Sequence, residues 1–143
     1  MTATPVSGGG VSRFEIDDEW ISALPFERLP RGITHLPLEC VVYVPSTMYD
    51  RTIDPDEFAR RRDQTAELLV GLFGGCRETT AVGRYRADDG TIIAEEVAVL
   101  TGFGEAGDFE RKRHDFLAWL VDKREEWGQE ALGFEFEGDL WYL

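Results

Sequence analysis

Residues 42–50, VYVPSTMYD, place two hydroxyls, Ser46 and Thr47, at the end of a β-branched run, with Arg51 following just ahead of a helix cap at Asp54. Hydroxyls and a guanidinium beside a helix N-terminus can hold a phosphate or carboxylate, because first-turn amides lack intrahelical acceptors and favour negative charge. The same hydroxyls also serve as turn residues that bond nearby backbone. The turn is the favoured reading, with anion binding as the alternative.

Three other constellations bear on chemistry. GFGEAG, Gly102 to Gly107, matches GxGxxG, follows a strand and precedes a helix, with Glu135 and Glu137 downstream. Against a dinucleotide site, Asp108 reads as the helix cap and leaves the third glycine outside the helix. Glu105 and Asp108 would also face the pyrophosphate. Carboxylates form the second set: Glu95, Glu135 and Glu137 are weak candidates for a hard cation such as Mg²⁺, which needs several converging oxygens. Accidental acidic pairs are expected at this charge, and acids alternating with Phe134 and Phe136 describe a half-buried strand. The third set is the histidines, His35 and His114, neither visibly paired with an activated nucleophile. No motif identifies catalytic residues, and no cofactor is expected.

The chain of 143 residues carries 28 acidic and 15 basic side chains, a net charge of −13. That balance repels a phosphate backbone or an anionic membrane surface, so general nucleic-acid binding is disfavoured. Basic partners or small ligands fit better. Thirteen of the basic residues are arginines, a bias that suits a halophile or a high-GC genome. Cys40 and Cys76 lack metal-knuckle spacing and read as buried free thiols. The opening MTATPVSGGG has neither a basic n-region nor an apolar h-region, and no apolar run reaches membrane-spanning length. A cytoplasmic protein is the simplest expectation.

The elements that must position these residues are legible from Glu39 onward. Residues 1–37 read as a flexible tail (1–12) and a short docking segment, with a helix capped by Asp17 or Asp18 and anchored by Trp20, Ile21 and Leu24. ECVVYV is a strand ended by Pro45. The next helix has Asp54 as cap, Pro55 at its first position and Gly74 as its stop, with Phe58, Ala66, Leu69, Leu72 and Phe73 on its apolar face. Arg60, Arg61 and Arg62 read as a solvated face, since Asp56 and Glu57 precede Arg60 and Arg61 by four residues. TTAVGRYR and TIIAEEVAVLTGF form a hairpin across ADDG. A second helix buries Phe109, Phe116, Leu117, Leu120 and Trp127 and stops at Gly128; the alternating Leu132, Phe134 and Phe136 follow, with a turn at Gly138-Asp139.

The order β, α, β, β, α, β plus an edge strand predicts a single α+β domain over 38–143, of ferredoxin-like split βαβ type, with two helices on one face of an antiparallel sheet. The other face must meet solvent, a ligand or a second subunit. Seventeen aromatic residues, among them Tyr43, Tyr85, Phe103, Trp141 and Tyr142, exceed what a one-sided core needs. A homodimer through the open face would bury them, as would the N-terminal segment.

VPST, LFGG and GQEALGFEFEGDLWYL together resemble a family of small uncharacterised prokaryotic and phage proteins that run (V/I)PST, helix, FGG, hairpin, helix, GQE and a closing hairpin. The resemblance spans about residues 41–143, implies one compact domain and lends no activity. It draws interest to Ser46, Thr47, Gly74, Gly75, Gln129 and Glu130. Cys76 stands where the family commonly has Thr or Tyr.

Three functions follow as expectations. The preferred one is a non-catalytic binding or accessory module, homodimeric, holding a small anionic ligand or a protein partner through Ser46, Thr47, Arg51, Arg84, Arg86, Gln129 and Glu130. The second is a small Mg²⁺-dependent hydrolase or nucleotide-processing enzyme. The third, from the phage-like resemblance, is a sponge that sequesters a signalling nucleotide at a pocket lined by Arg84, Arg86 or Arg51.

Overall fold

A computed structural model describes residues 36–143, together with the backbone of two short strands, β1 (Ala3–Val6) and β2 (Arg13–Ile16), which pair antiparallel. The expected helix near Asp17, its three anchors and His35 lie outside the described residues, as does the rest of the flexible-tail reading.

The central strand is β3 (Leu38–Pro45). Its even residues, Leu38, Cys40, Val42 and Val44, enter the core. Its odd residues, including Tyr43, face the other way because side chains alternate across a strand. β3 pairs with β7 (Ile92–Gly104) on one side and with β8 (Gly133–Phe136) on the other, and both pairings are antiparallel. Beyond them lie β6 (Arg77–Arg86) and β9 (Asp139–Tyr142), which gives the order β6-β7-β3-β8-β9. A separate ribbon, β4 (Thr47–Met48) with β5 (Arg51–Thr52), occupies the loop after β3.

Helix α1 (Pro55–Phe73) starts where Asp54 accepts the Asp56 N–H at 2.7 Å and ends at Gly74, whose φ of 86° suits a residue without Cβ. Helix α2 spans Ala106–Glu126. Phe58 and Leu69 of α1 and Phe109, Phe116 and Leu120 of α2 pack with Trp127 on Val42, Val44, Ala98, Leu100 and Phe134. Two helices on one face of a five-stranded antiparallel sheet make the α+β, ferredoxin-like fold that the periodicity predicts.

Two boundaries differ from expectation. Helix α2 begins after Glu105, so Asp108 lies in its first turn, where its charge favours the helix dipole and it pairs with Arg111. Gly107 is therefore inside the helix. The last turn uses Glu137 and Gly138, at φ 54° and 84°, and Asp139 already pairs with Phe136. Positive φ at both central residues matches the twist of a two-residue hairpin, so the turn sits one residue earlier than Gly138-Asp139.

The glycine motif has a packing role. A Cβ built on either Gly102 or Gly104 would lie 2.4 Å from the Phe73 ring, so the pair forms a slot for that ring beneath α1. The strands on either side of β7 run antiparallel to it, which removes the parallel crevice a dinucleotide site requires. Gly104→Ala should lower stability by about 1–3 kcal/mol through overpacking, read as a shift in urea midpoint. An unchanged midpoint would show that Phe73 turns away at no cost.

Candidate functional site

The sheet face opposite the two helices carries a cavity of about 730 Å³. Strand register sets its floor: Gly83 lies opposite Glu95 and Tyr85 opposite Ile93 on β6–β7, while Gly133 lies opposite Tyr142 on β8–β9. Tyr43 from β3 joins them. The β4–β5 ribbon and the loop 128–132 complete the wall, contributing Thr47, Tyr49, Asp50, Gln129 and Glu130. All four tyrosines of the chain, Tyr43, Tyr49, Tyr85 and Tyr142, line this one cavity.

The ribbon is tightly held. Tyr49 and Asp50 form its turn at φ 48° and 64°, a region that costs a residue with a Cβ and that asparagine, aspartate and glycine tolerate best. The Tyr49 N–H donates to the Gly128 carbonyl at 3.2 Å, and the Ile53 N–H to the Ser46 carbonyl at 2.9 Å. Gly128 has φ 61°, and a Cβ there would stand 3.0 Å from both Met48 and Tyr49, so conformation and space both require glycine.

Ser46 and Thr47 have separate tasks. The Ser46 hydroxyl donates to the Glu96 carbonyl at 2.6 Å and ties the bend to β7, in keeping with a structural turn. Thr47 and Glu95 both line the cavity. The Thr47 carbonyl accepts from Gln129 Nε2 at 2.6 Å and from Arg61 Nη1 at 2.9 Å, and the same Arg61 nitrogen donates to the Pro45 carbonyl at 2.9 Å.

Arg61 corrects the reading of the arginine triplet as a solvated face. Its side chain is 0% exposed, between Glu57 and the Trp127 ring, whose centroid is 5.2 Å from Cζ. Arg60 is exposed and pairs with Glu57 at 2.8 Å, while Arg62 lies over the Phe58 ring. The i,i+4 spacing concealed this, because Glu57 serves both Arg60 at i+3 and Arg61 at i+4.

Electrostatics in the cavity favour positive charge. Among the described residues, Asp50, Glu95 and Glu130 face one lining guanidinium, Arg84. Burial raises the Glu95 carboxyl above its ordinary range; the nearby Thr47 hydroxyl opposes that shift and Asp50 adds to it. Burial also raises the Tyr85 hydroxyl, with Glu95 and Asp50 contributing. Tyr43 is pushed up to about 12, first by burial and then by donating to Glu135. A folded-state value above the ordinary 10 means that the native state holds this proton more tightly than the unfolded chain does. Its stabilisation is full below pH 10 and is lost as pH rises towards 12. Tyr43→Phe should remove that part of the alkaline decline, measured by urea unfolding across the same pH range.

A second cavity, about 1080 Å³, shares Thr47, Asp50, Tyr85, Glu95 and Glu130 with the first and adds Ser46, Arg62 and Arg86. Of the ligand-binding candidates, Thr47, Arg84, Gln129 and Glu130 therefore line the first cavity and Ser46 and Arg86 the second, while Arg51 is exposed on β5 and lines neither. The carboxylates named for a cation do not converge. Glu137 accepts the Glu39 N–H at 3.1 Å at the hairpin corner, and Glu135 bonds Tyr43. Extending the register places Glu95 and Glu135 six residues apart along β3, roughly 20 Å at strand rise. Among the described residues no group of three or more His, Cys, Asp or Glu could hold a metal ion. Tyr49, Asp50 and Arg61 were not predicted for the site. For the tyrosines a signal existed: Tyr43 has the opposite parity to the core residues Val42 and Val44, which puts it on the open face.

No helix among the described residues is long and apolar enough to cross a membrane. No protein-family description matches the chain, and no curated protein matches it in sequence. Two solved structures are similar. One is a phage SAM lyase in complex with S-methyl-5′-thioadenosine, 17% identical, with a TM-score of 0.55 over 80% of this chain and 95% of that one. The other is a phage SAM lyase in the apo state, 14% identical, with a TM-score of 0.46 over 74% and 87%. At 17% identity, what the chain shares with the first is its fold.

Proposed function

We propose that this protein binds a cationic nucleoside of the SAM class in the tyrosine-lined cavity of the open sheet face. The observation that carries this reading is the gathering of all four tyrosines with Asp50, Glu95 and Glu130 around one concavity. Aromatic faces stack on a purine and attract a sulfonium or ammonium through the ring quadrupole. The carboxylates add a Coulombic preference for positive charge that a net charge of −13 reinforces. This preference runs against the small anionic ligand expected from Ser46, Thr47 and Arg51. The S-methyl-5′-thioadenosine bound by a protein of similar fold supports a nucleoside occupant.

Titration calorimetry tests the reading. SAM should bind more tightly than uncharged S-methyl-5′-thioadenosine, and Glu95→Gln should narrow the difference. Absence of binding by either compound at millimolar concentration would overturn it. Cleavage of the bound nucleoside is a second reading, favoured by Glu95, a carboxylate made more basic by burial and aimed into the cavity. Release of S-methyl-5′-thioadenosine from SAM, followed by chromatography, distinguishes turnover from binding alone.

Self-association belongs to the same reading. Leu140, Trp141 and Tyr142 are exposed on β9, which among the described residues is an edge strand with one unpaired side, and such an edge pairs readily with a second copy. Native mass spectrometry should show a dimer; a monomer at micromolar concentration would remove this part.

A further inference from the structure

Asp50, Glu95 and Glu130, the carboxylates of the first cavity, also line the second, so a ligand that occupies both meets them at the shared wall. Beyond that wall the lining changes. The second cavity keeps Tyr85 of the four tyrosines and adds two guanidiniums, Arg62 from α1 and Arg86 from the last position of β6. Among the described residues neither takes part in an ion pair, whereas the adjacent Arg60 and Arg61 both use Glu57. Arg62 is held over the ring of Phe58, which lines the same cavity, with Cζ 4.9 Å from the ring centroid. A guanidinium over an aromatic face keeps its in-plane N–H groups for a planar partner with two oxygens, such as a carboxylate. Asp88 and Glu96 line this second cavity alone.

A SAM-class molecule carries its charges in a matching order. The purine and ribose are neutral, a sulfonium follows, and an α-amino acid ends the molecule with an ammonium and a carboxylate. We propose that the second cavity is the subsite for this α-amino acid tail, with Arg62 and Arg86 on its carboxylate, Asp88 and Glu96 on its ammonium, and the sulfonium at the wall of Asp50, Glu95 and Glu130. The inference rests on the nucleoside reading and adds the end of the molecule that S-methyl-5′-thioadenosine lacks. It also gives Arg86 the anionic group that the sequence assigns to it, while the first cavity keeps its preference for positive charge.

Charge alone favours the opposite order of affinities. A chain of net charge −13 attracts the more cationic of two similar ligands. Decarboxylated SAM keeps the sulfonium and the ammonium but has no carboxylate, so it is the tighter ligand unless the arginines hold that group. Titration calorimetry of the full-length protein with SAM, decarboxylated SAM, S-adenosylhomocysteine and S-methyl-5′-thioadenosine separates the cases. SAM should bind about tenfold more tightly than decarboxylated SAM, the worth of one charge-assisted hydrogen bond. S-adenosylhomocysteine, which has the tail but no sulfonium, should exceed S-methyl-5′-thioadenosine by a similar factor. Arg62→Gln combined with Arg86→Gln should abolish both preferences and leave the affinity for S-methyl-5′-thioadenosine unchanged.

Equal or tighter binding of decarboxylated SAM by the wild type would overturn the subsite, as would a double variant that keeps both preferences. If the double variant does not fold, the wild-type comparison decides by itself. Binding of S-methyl-5′-thioadenosine with neither preference rejects the tail subsite and leaves the nucleoside reading standing; binding of none of the four compounds rejects both.

Discussion

Arg61→Met should lower the free energy of unfolding by about 3 kcal/mol, because the bonds lost outweigh the desolvation penalty relieved. Where both partners of a buried ion pair become apolar, stability often holds or rises. Here the partners are the Pro45 and Thr47 carbonyls, which no substitution removes. Each loses a charge-assisted bond, worth about 1.5–3 kcal/mol, and the one to the Pro45 carbonyl is buried. Glu57 is less affected, since its side chain is partly exposed and keeps Arg60 as a partner. The linear Met side chain limits any cavity. Urea unfolding with an unchanged m-value would report the loss directly; a change below about 1 kcal/mol would mean that relief of desolvation nearly cancels the bonds.

Trp127→Ala should cost about 3–5 kcal/mol, the range for deleting a large aromatic side chain from a core. Trp127 is fully buried just past the end of α2 and meets Trp119 edge-on at a centroid distance of 5.8 Å. It also supplies the face on which Arg61 lies. The two substitutions therefore share an interaction and should not add: the double variant should lose measurably less than the sum of the singles. Strict additivity would indicate that the ring and the guanidinium are energetically independent. Because Trp127 immediately precedes Gly128 and Gln129, its loss should also loosen the loop that grips Thr47, so nucleoside affinity should fall together with stability.

These expectations concern residues that the sequence disclosed to different degrees. Leu132 and Phe134, Phe58 and Leu69, Phe116 and Leu120 were legible as core because alternation and the helical repeat are local patterns imposed by the geometry of each element. Asp54 and Gly74 marked the ends of α1 for equally local reasons, a side-chain acceptor for a free amide and a left-handed φ. From such patterns the element order, the α+β class and the placing of both helices on one sheet face all followed.

The site depended on contacts between distant segments, which periodicity does not encode. Nothing near Arg61 in sequence reveals that its guanidinium reaches back 14 and 16 residues to Thr47 and Pro45, so local spacing assigned it to solvent. Gly102 and Gly104 fitted a phosphate loop in sequence and proved to be a slot for Phe73, because the neighbouring strands run antiparallel. The separation of Glu95 from Glu135 was likewise set by register between strands. The chain by itself determined which faces are apolar, since that requires only one element at a time. Which polar groups meet across those faces was decided by tertiary packing, where a buried carbonyl or guanidinium must find a partner wherever the fold brings one within reach.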